Sequence, residues 1–204
     1  MDLTRAAAAA LDETDPLAGF RSRFAGASDD GPGRLLYLDG NSLGRLPRET
    51  PAAVARVVEK QWGEGLVGSW ADWIGEAARL GDALAAGVLG ARPGEVLVAD
   101  STSVNLYKLL VAGVRARPGR DVLVCTADDF PTDRYVVAGV AGARGMTVRE
   151  LPADVDRGLD VGTLAAALDD RVAVVVLSHV AYRSGALADL AAVTAGRSAS
   201  SPVR

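Results

Sequence analysis

With 204 residues, 49% of them apolar, the chain has material for one sizeable core or for part of a larger one. A net charge of −4, spread over interspersed acids and bases, leaves no basic block for nucleic acid and no acidic tail. A single cysteine rules out a disulfide within the chain, and the amino end has neither a basic-then-apolar leader nor an apolar run long enough to span a membrane, so the expected compartment is the cytoplasm.

The alanine-rich stretch from Leu3 to Asp12 predicts a helix, and a polar connector follows it. Leu35-Leu36-Tyr37-Leu38 predicts a short strand. It ends in Asp39-Gly40-Asn41-Ser42-Leu43-Gly44, whose glycines and asparagine call for a turn. Pro47 opens a helical pattern that runs to Gln61. A tryptophan-rich stretch from Trp62 to Trp73 comes next, and a further helix is expected over roughly Glu76 to Leu89.

From Val96 onward the pattern changes. Apolar strands are expected near Val96, Val122, Thr147 and Val172, each followed by a helical pattern. Their starts fall about 25 residues apart, the length of one strand plus one crossover helix. The run Val172 to Leu177 is apolar without alternation, as a strand covered on both faces should be. Cys125 lies inside the Val122 strand and reads as a small buried hydrophobe. The fold class is therefore α/β, a mostly parallel sheet flanked by helices, with a helical segment before it.

In such folds ligands bind beyond the carboxyl ends of the strands. That rule selects three segments: Asp100-Ser101-Thr102-Ser103, Asp128-Asp129-Phe130-Pro131-Thr132-Asp133, and Ser178-His179 through Gly185. The first opens a helix over Val104 to Arg115. Asp100 or Ser101 can cap that helix, and the free N–H groups at its start can equally seat a phosphate. Phe130 reads either as a core aromatic or as a plane for stacking on a flat heterocycle, aimed by the proline after it. Asp133 can cap the next helix or hold a ligand group. Arg183 can bind a carboxylate in a two-pronged grip or lie solvated at the surface, and His179 fits a satisfied polar core position. One histidine and one cysteine make a zinc site improbable. Gathered at one edge, a phosphate seat and a stacking aromatic, with no P-loop, dinucleotide fingerprint or nucleophile elbow, suit pyridoxal phosphate.

Four blocks carry a resemblance: Tyr37-Leu38-Asp39-Gly40-Asn41-Ser42-Leu43-Gly44, Asp100 to Leu106, Phe130-Pro131-Thr132-Asp133-Arg134-Tyr135, and Leu177 to Gly185. In their order and spacing the chain resembles kynureninase as far as about Thr194. The resemblance implies a fold-type-I pyridoxal-phosphate enzyme, normally a homodimer. It implies hydrolysis of L-kynurenine or 3-hydroxykynurenine to an anthranilate and L-alanine. It implies that Thr102 and Ser103 hold the cofactor phosphate, that Phe130 stacks on the pyridine ring, and that Asp133 and Ser178 contact the cofactor. Asn41, Ser42 and Trp70 would lie near the substrate, with Trp62 and Trp73 as competitors for the tryptophan's place.

The departure is length, since enzymes of that family are about twice as long. The missing part would carry the Schiff-base lysine and the aspartate that keeps the pyridine ring protonated. The two lysines present, Lys60 and Lys108, lie in no motif of that kind, so no catalytic residue is assigned. The expected organisation is residues 1–75 as a segment with the substrate-side turn, 76–195 as part of a large α/β domain, and 196–204 as a disordered, aberrant tail from a frameshift, premature stop or misjoined gene. Two other readings stand beside this one. One is a different fold-type-I enzyme, such as a cysteine-desulfurase-like protein; the other is a non-catalytic relic or binding fragment.

Overall fold

The computed structural model describes residues 4–27, 31–33 and 35–198, with the backbone alone for 196–198. The chain divides into two compact units, Met1–Leu97 and Val98–Arg204.

The first unit is helical. Helix α1 (Arg5–Glu13) starts where the Thr4 hydroxyl accepts the Ala7 N–H at 3.2 Å. A 3₁₀ turn over Ala18–Arg23 leads to a single bridge between Phe24 and Pro47. Helix α2 (Thr50–Arg56) carries a proline in its first turn, where a missing N–H costs nothing. It continues in π-helical form over Val57–Glu64. A 3₁₀ turn (Leu66–Ser69) and the short α3 (Trp70–Trp73) follow. Helix α4 (Glu76–Leu84) also ends in a π-helical stretch, Ala85–Leu89, and Gly90 stops it in the left-handed conformation at φ 64°. The expected helices are thus present.

The second unit is a three-layer α/β arrangement. Helix α5 (Thr102–Arg115) precedes strand β1 (Val122–Thr126), helix α6 (Pro131–Arg144), strand β2 (Thr147–Leu151), helix α7 (Val161–Ala167), strand β3 (Val172–Val175) and helix α8 (Leu190–Ser198). The strands are parallel in the order β2-β1-β3. Pairing starts at Val122 with Thr147 on one side and Val172 on the other, and β3 slips by one residue after Val172.

Every residue of β1 is buried, because the sheet is covered on both faces. Side chains alternate along a strand. Leu123 and Cys125 pack with Leu110 of α5 and with Val137, Val140 and Ala141 of α6. Val122 and Val124 pack the other way, with Leu151, Leu164 and Val172. Burial also pushes the Cys125 thiol up to about 11, helped by the nearby Glu150 and Asp129 charges, so it is inert packing at neutral pH.

Two expected strands are absent. Val96–Ala99 and Leu35–Leu38 form no ladder with any described residue, although both are apolar runs. An apolar run becomes a strand only when a neighbour takes its backbone groups. Here the Ala99 carbonyl accepts from Asn105 Nδ2 at 2.7 Å instead. Helix α8 reaches Ser198; the remainder of the expected tail, 199–204, lies outside the described residues.

Candidate functional site

In the β2-β1-β3 order the chain leaves β1 toward one side of the sheet and returns from β2 to the other. The loops after β1 and β3 therefore part at the carboxyl ends, which makes a topological switch point. The loop after β1 is Ala127–Phe130, closed by the proline that opens α6. The loop after β3 runs from Val176 and includes a bridge between Val180 and Leu187.

Three consecutive residues of the first loop grip the second. Asp128, 9% exposed, has Oδ1 paired with the Arg183 guanidinium. Its Oδ2 is buried with no hydrogen-bond partner among the described residues. Asp129, 6% exposed, accepts the Thr126 N–H on Oδ2 at 2.8 Å and the Ser178 N–H on Oδ1 at 3.2 Å. Phe130 meets the ring of Tyr182 edge to face, with centroids 5.2 Å apart and planes at 85°. Behind this clasp Thr126, Asp128, Asp129 and Ser178 help to line a cavity of about 30 Å³. That is room for water and not for an aromatic ring.

The expected site residues fall into three groups. Phe130 and Ser178 belong to the two clasped loops, and Phe130 keeps 47% of its surface exposed beside Tyr182. Asp133 sits in the first turn of α6, where its own N–H donates to the Phe130 carbonyl at 2.9 Å. Burial, and after it the charge of Asp129, raises the Asp133 carboxyl above its ordinary range.

Thr102 and Ser103 occupy the first turn of α5. Ser101 caps this helix, its hydroxyl accepting the Val104 N–H at 3.4 Å, so the N–H groups of Thr102 and Ser103 have no acceptor within the helix. Helix α5 lies on the sheet through Leu110 and through Gly113 against Val174, and residues 116–121 join its end to the start of β1. Its first turn is thereby directed toward the carboxyl ends of the strands. Asp100, in the left-handed region at φ 35°, pairs with Lys108 next to that turn.

Asn41, Ser42 and Trp70 belong to the first unit. Ser42 is part of the expected turn, its hydroxyl 2.7 Å from Asp39 Oδ1 and its N–H on the Asp39 carbonyl at 3.2 Å. Trp70 is exposed, as is Trp62, whereas the Trp73 indole donates to Gln61 Oε1 at 2.8 Å.

Sequence reasoning missed the parts played by Asp128, Asp129 and Tyr182. Their signal was the pair of acids directly after a fully apolar strand, where buried carboxylates need partners. Arg183 does bind a carboxylate, but the carboxylate is the chain's own Asp128. His179 is a correction: it is exposed and not a core residue. The bridged loop turns its side chain outward while its carbonyl accepts the Ala188 N–H at 2.8 Å.

No protein-family model matches the chain. Among curated proteins, a kynureninase of Burkholderia pseudomallei (strain 1106a) is 42% identical over 199 residues. The chain is similar to kynureninases. The match takes in 94% of this chain and 45% of that kynureninase. A kynureninase of Deinococcus radiodurans is 43% identical over 194 residues, which is 91% of this chain and 44% of the relative. The chain thus spans less than half the length of the kynureninases it matches. Among solved structures, a lysine-to-alanine mutant of C-DES with glycine covalently linked to the PLP cofactor superposes with a TM-score of 0.71 at 20% identity, over 86% of this chain and 45% of that one. A complex of the cystine C-S lyase C-DES with its product cysteine persulfide gives 0.63 at 21% identity, over 75% and 40%. The fold is that of fold-type-I pyridoxal-phosphate enzymes, present in part: the order of strands and helices led one to expect a parallel α/β sheet, and the resemblance implied this form of it.

Proposed function

We propose that this chain is the cofactor-gripping portion of a kynureninase, a pyridoxal-phosphate enzyme that hydrolyses L-kynurenine or 3-hydroxykynurenine to the corresponding anthranilate and L-alanine. The observation that carries this reading is 42% identity across 94% of the chain, in a sequence whose two rim loops clasp each other around an exposed aromatic ring. The likeness to C-DES, at 20% identity, speaks for the fold alone and gives no support to a cysteine-cleaving activity.

The residues fit the coenzyme by the chemistry of their donors. The first turn of α5 offers free N–H groups and the hydroxyls of Thr102 and Ser103 to a phosphate. Phe130, exposed at the rim, offers a plane to the pyridine ring. Ser178, fastened by Asp129, and Asp133, at the start of α6, supply the remaining polar contacts. When bound, pyridoxal phosphate supplies an electron sink for charge developing on the substrate carbon beside the amino group. The turn at Asn41 and Ser42, and Trp70, are proposed to face the aromatic amino acid.

Lys60 and Lys108 are held in ion pairs with Glu64 and Asp100. The lysine that bonds the coenzyme is proposed to belong to the part of the relatives' length that this chain does not span. The enzyme is proposed to be cytoplasmic and homodimeric. In support, no described helix is long and apolar enough to cross a membrane, and Leu38, Val67 and Ile74 of the first unit are highly exposed apolar side chains that an assembly would cover.

Titration of the chain with pyridoxal phosphate, and with pyridoxal as the control lacking phosphate, tests the cofactor reading. Saturable binding of the phosphorylated form and much weaker binding of pyridoxal is expected. Equal affinity for both removes the phosphate seat. Incubation of the loaded chain with kynurenine and with 3-hydroxykynurenine should give no anthranilate; turnover by these 204 residues overturns the assignment of the lysine to another segment, and turnover of cysteine instead overturns the kynureninase reading.

A further inference from the structure

Phe130 is a cofactor platform only if its ring is held at one angle; the proline after it restricts its backbone and leaves the side-chain torsions free to turn the ring. It is the cap residue of α6, half-exposed, at the end of a loop. Among the described residues the ring in contact with it is Tyr182, at 5.2 Å and 85°. Tyr182 is itself half-exposed and belongs to the loop after β3. The next residue, Arg183, is anchored in Asp128, two positions before Phe130. The Arg183 guanidinium also lies 5.8 Å from the centre of the Tyr182 ring. The four residues close a circuit: Asp128 holds Arg183, Arg183 flanks Tyr182, Tyr182 meets Phe130, and Phe130 returns through Asp129 to Asp128.

We propose that the Asp128–Arg183 ion pair is a positioning device that sets the ring angle of Phe130 by fixing Tyr182 against it. This rests on the reading of Phe130 as the platform for the pyridine ring, and it adds two residues to that site which act through others and not by touching the coenzyme. The burial of Asp128 makes this a committed pair and not an incidental surface contact. Asp128 is more than nine-tenths buried and, among the described residues, its Oδ2 has no hydrogen-bond partner, so the half-exposed Arg183, reaching in from the surface, is the cation that compensates it. Taking that cation away leaves a carboxylate in the wall of the rim, which must open the loop to reach water. An exposed pair would simply dissolve into solvent without moving anything. The guanidinium fork also matters, since it can engage a carboxylate and lie against a ring at once, which an ammonium does less well.

The test reads the ring itself, without ligand. The chain has three phenylalanines, Phe20, Phe24 and Phe130, so incorporation of fluorophenylalanine gives three fluorine signals, and Phe130→Leu assigns one of them. In the parent chain the Phe130 signal should be displaced by the ring current of Tyr182. In Arg183→Met and in Asp128→Asn it should move to the value of a free aromatic and sharpen, and Arg183→Lys should restore part of the displacement. Tyr182→Leu should match Arg183→Met with the ion pair intact. An unmoved Phe130 signal in Arg183→Met and Asp128→Asn, both melting cooperatively, overturns the proposal. Should Arg183→Met fail to fold, Asp128→Asn, which leaves no buried charge, decides by itself. A parallel titration with pyridoxal phosphate should show several-fold weaker binding and an altered circular dichroism band of the coenzyme in the variants. Failure of the parent chain to bind pyridoxal phosphate, with the fluorine shifts as expected, would refute the cofactor reading and leave the positioning device standing.

Discussion

The Asp129 carboxylate fastens Ser178 to the end of β1 across 49 positions of sequence: it accepts the Ser178 N–H at 3.2 Å on one oxygen and the Thr126 N–H at 2.8 Å on the other. Both bonds end on a carboxylate, the one from Thr126 buried and the one from Ser178 half-buried, and a bond to such a group is worth about 1.5–3 kcal/mol. Asp129→Ala leaves two N–H groups without acceptors and is expected to cost at least about 2 kcal/mol in urea unfolding. Asp129→Asn, which keeps a single carbonyl acceptor, should lose less. Equal stability of Asp129→Ala and the parent would show that water replaces the carboxylate without cost.

The pH dependence of stability separates Asp133 from the surface acids. Burial first, and the charge of Asp129 second, raise the Asp133 carboxyl above its ordinary 3.8. A group shifted upward favours the folded state fully below its unfolded value, and that contribution is lost as pH rises through the folded value. Asp121, bonded by Arg171, and Asp169, bonded by Arg149, are lowered, so their contributions stand above 3.8 and are lost as pH falls below it. The two effects occupy opposite sides of 3.8. In thermal melts, Asp133→Asn should match the parent below that pH and exceed it increasingly above, reaching a plateau once Asp133 is ionised in the folded state. A constant difference across the range would count against the assignment.

The layered part of the fold was legible because burial on both faces leaves a mark in the residue types. Val122-Leu123-Val124-Cys125-Thr126 has no polar alternation, and it is the central strand with both faces covered. Val96–Ala99 carries the same mark and is not a strand, because composition reports what covers a segment and not what hydrogen-bonds to it. The two loops after β1 and β3 were legible, since their position follows from strand order, whereas the first turn of α5 was expected to follow a strand that the chain does not form. Which side chains bind one another across those loops was not. Asp128, Asp129 and Tyr182 find their partners about 50 residues away, and no local pattern encodes a partner at that distance.

Two glycines mark where helices come closest to their neighbours. A Cβ on Gly113 would stand 2.9 Å from Cγ2 of Val174, and one on Gly81 would collide with the carbonyl of Val96. Alanine adds up to about 1 kcal/mol of helix propensity at such a position, whereas overpacking costs about 1–3 kcal/mol. At Gly113 the obstacle is a stiff β-branched side chain and at Gly81 it is main chain, which cannot rotate away. Both alanine variants should therefore be destabilised, Gly81→Ala more than Gly113→Ala, as the midpoints of chemical unfolding would show. A stabilised Gly113→Ala would mean that Val174 yields to the added methyl.

Phe130 and Ser103 should separate stability from binding. Phe130 is 47% exposed, so truncation gives up only the contact of its covered half, and Phe130→Ala should move the unfolding midpoint less than truncation of a fully buried side chain would. Its stacking partner in the proposed complex would lose an aromatic contact worth about 0.5–1.5 kcal/mol, a two- to tenfold weakening of pyridoxal-phosphate affinity. Phe130→Trp keeps a plane at the rim and should bind more tightly than Phe130→Ala. Ser103→Ala removes a hydroxyl from the first turn of α5 while Ser101 keeps the cap. Its effect should therefore appear with pyridoxal phosphate and vanish with pyridoxal, because the hydroxyl is proposed to meet the phosphate and nothing else. Fluorescence titrations of the two ligands against the parent and Ser103→Ala decide the point: a loss of equal size for both places Ser103 away from the phosphate and moves the anion seat off the α5 terminus.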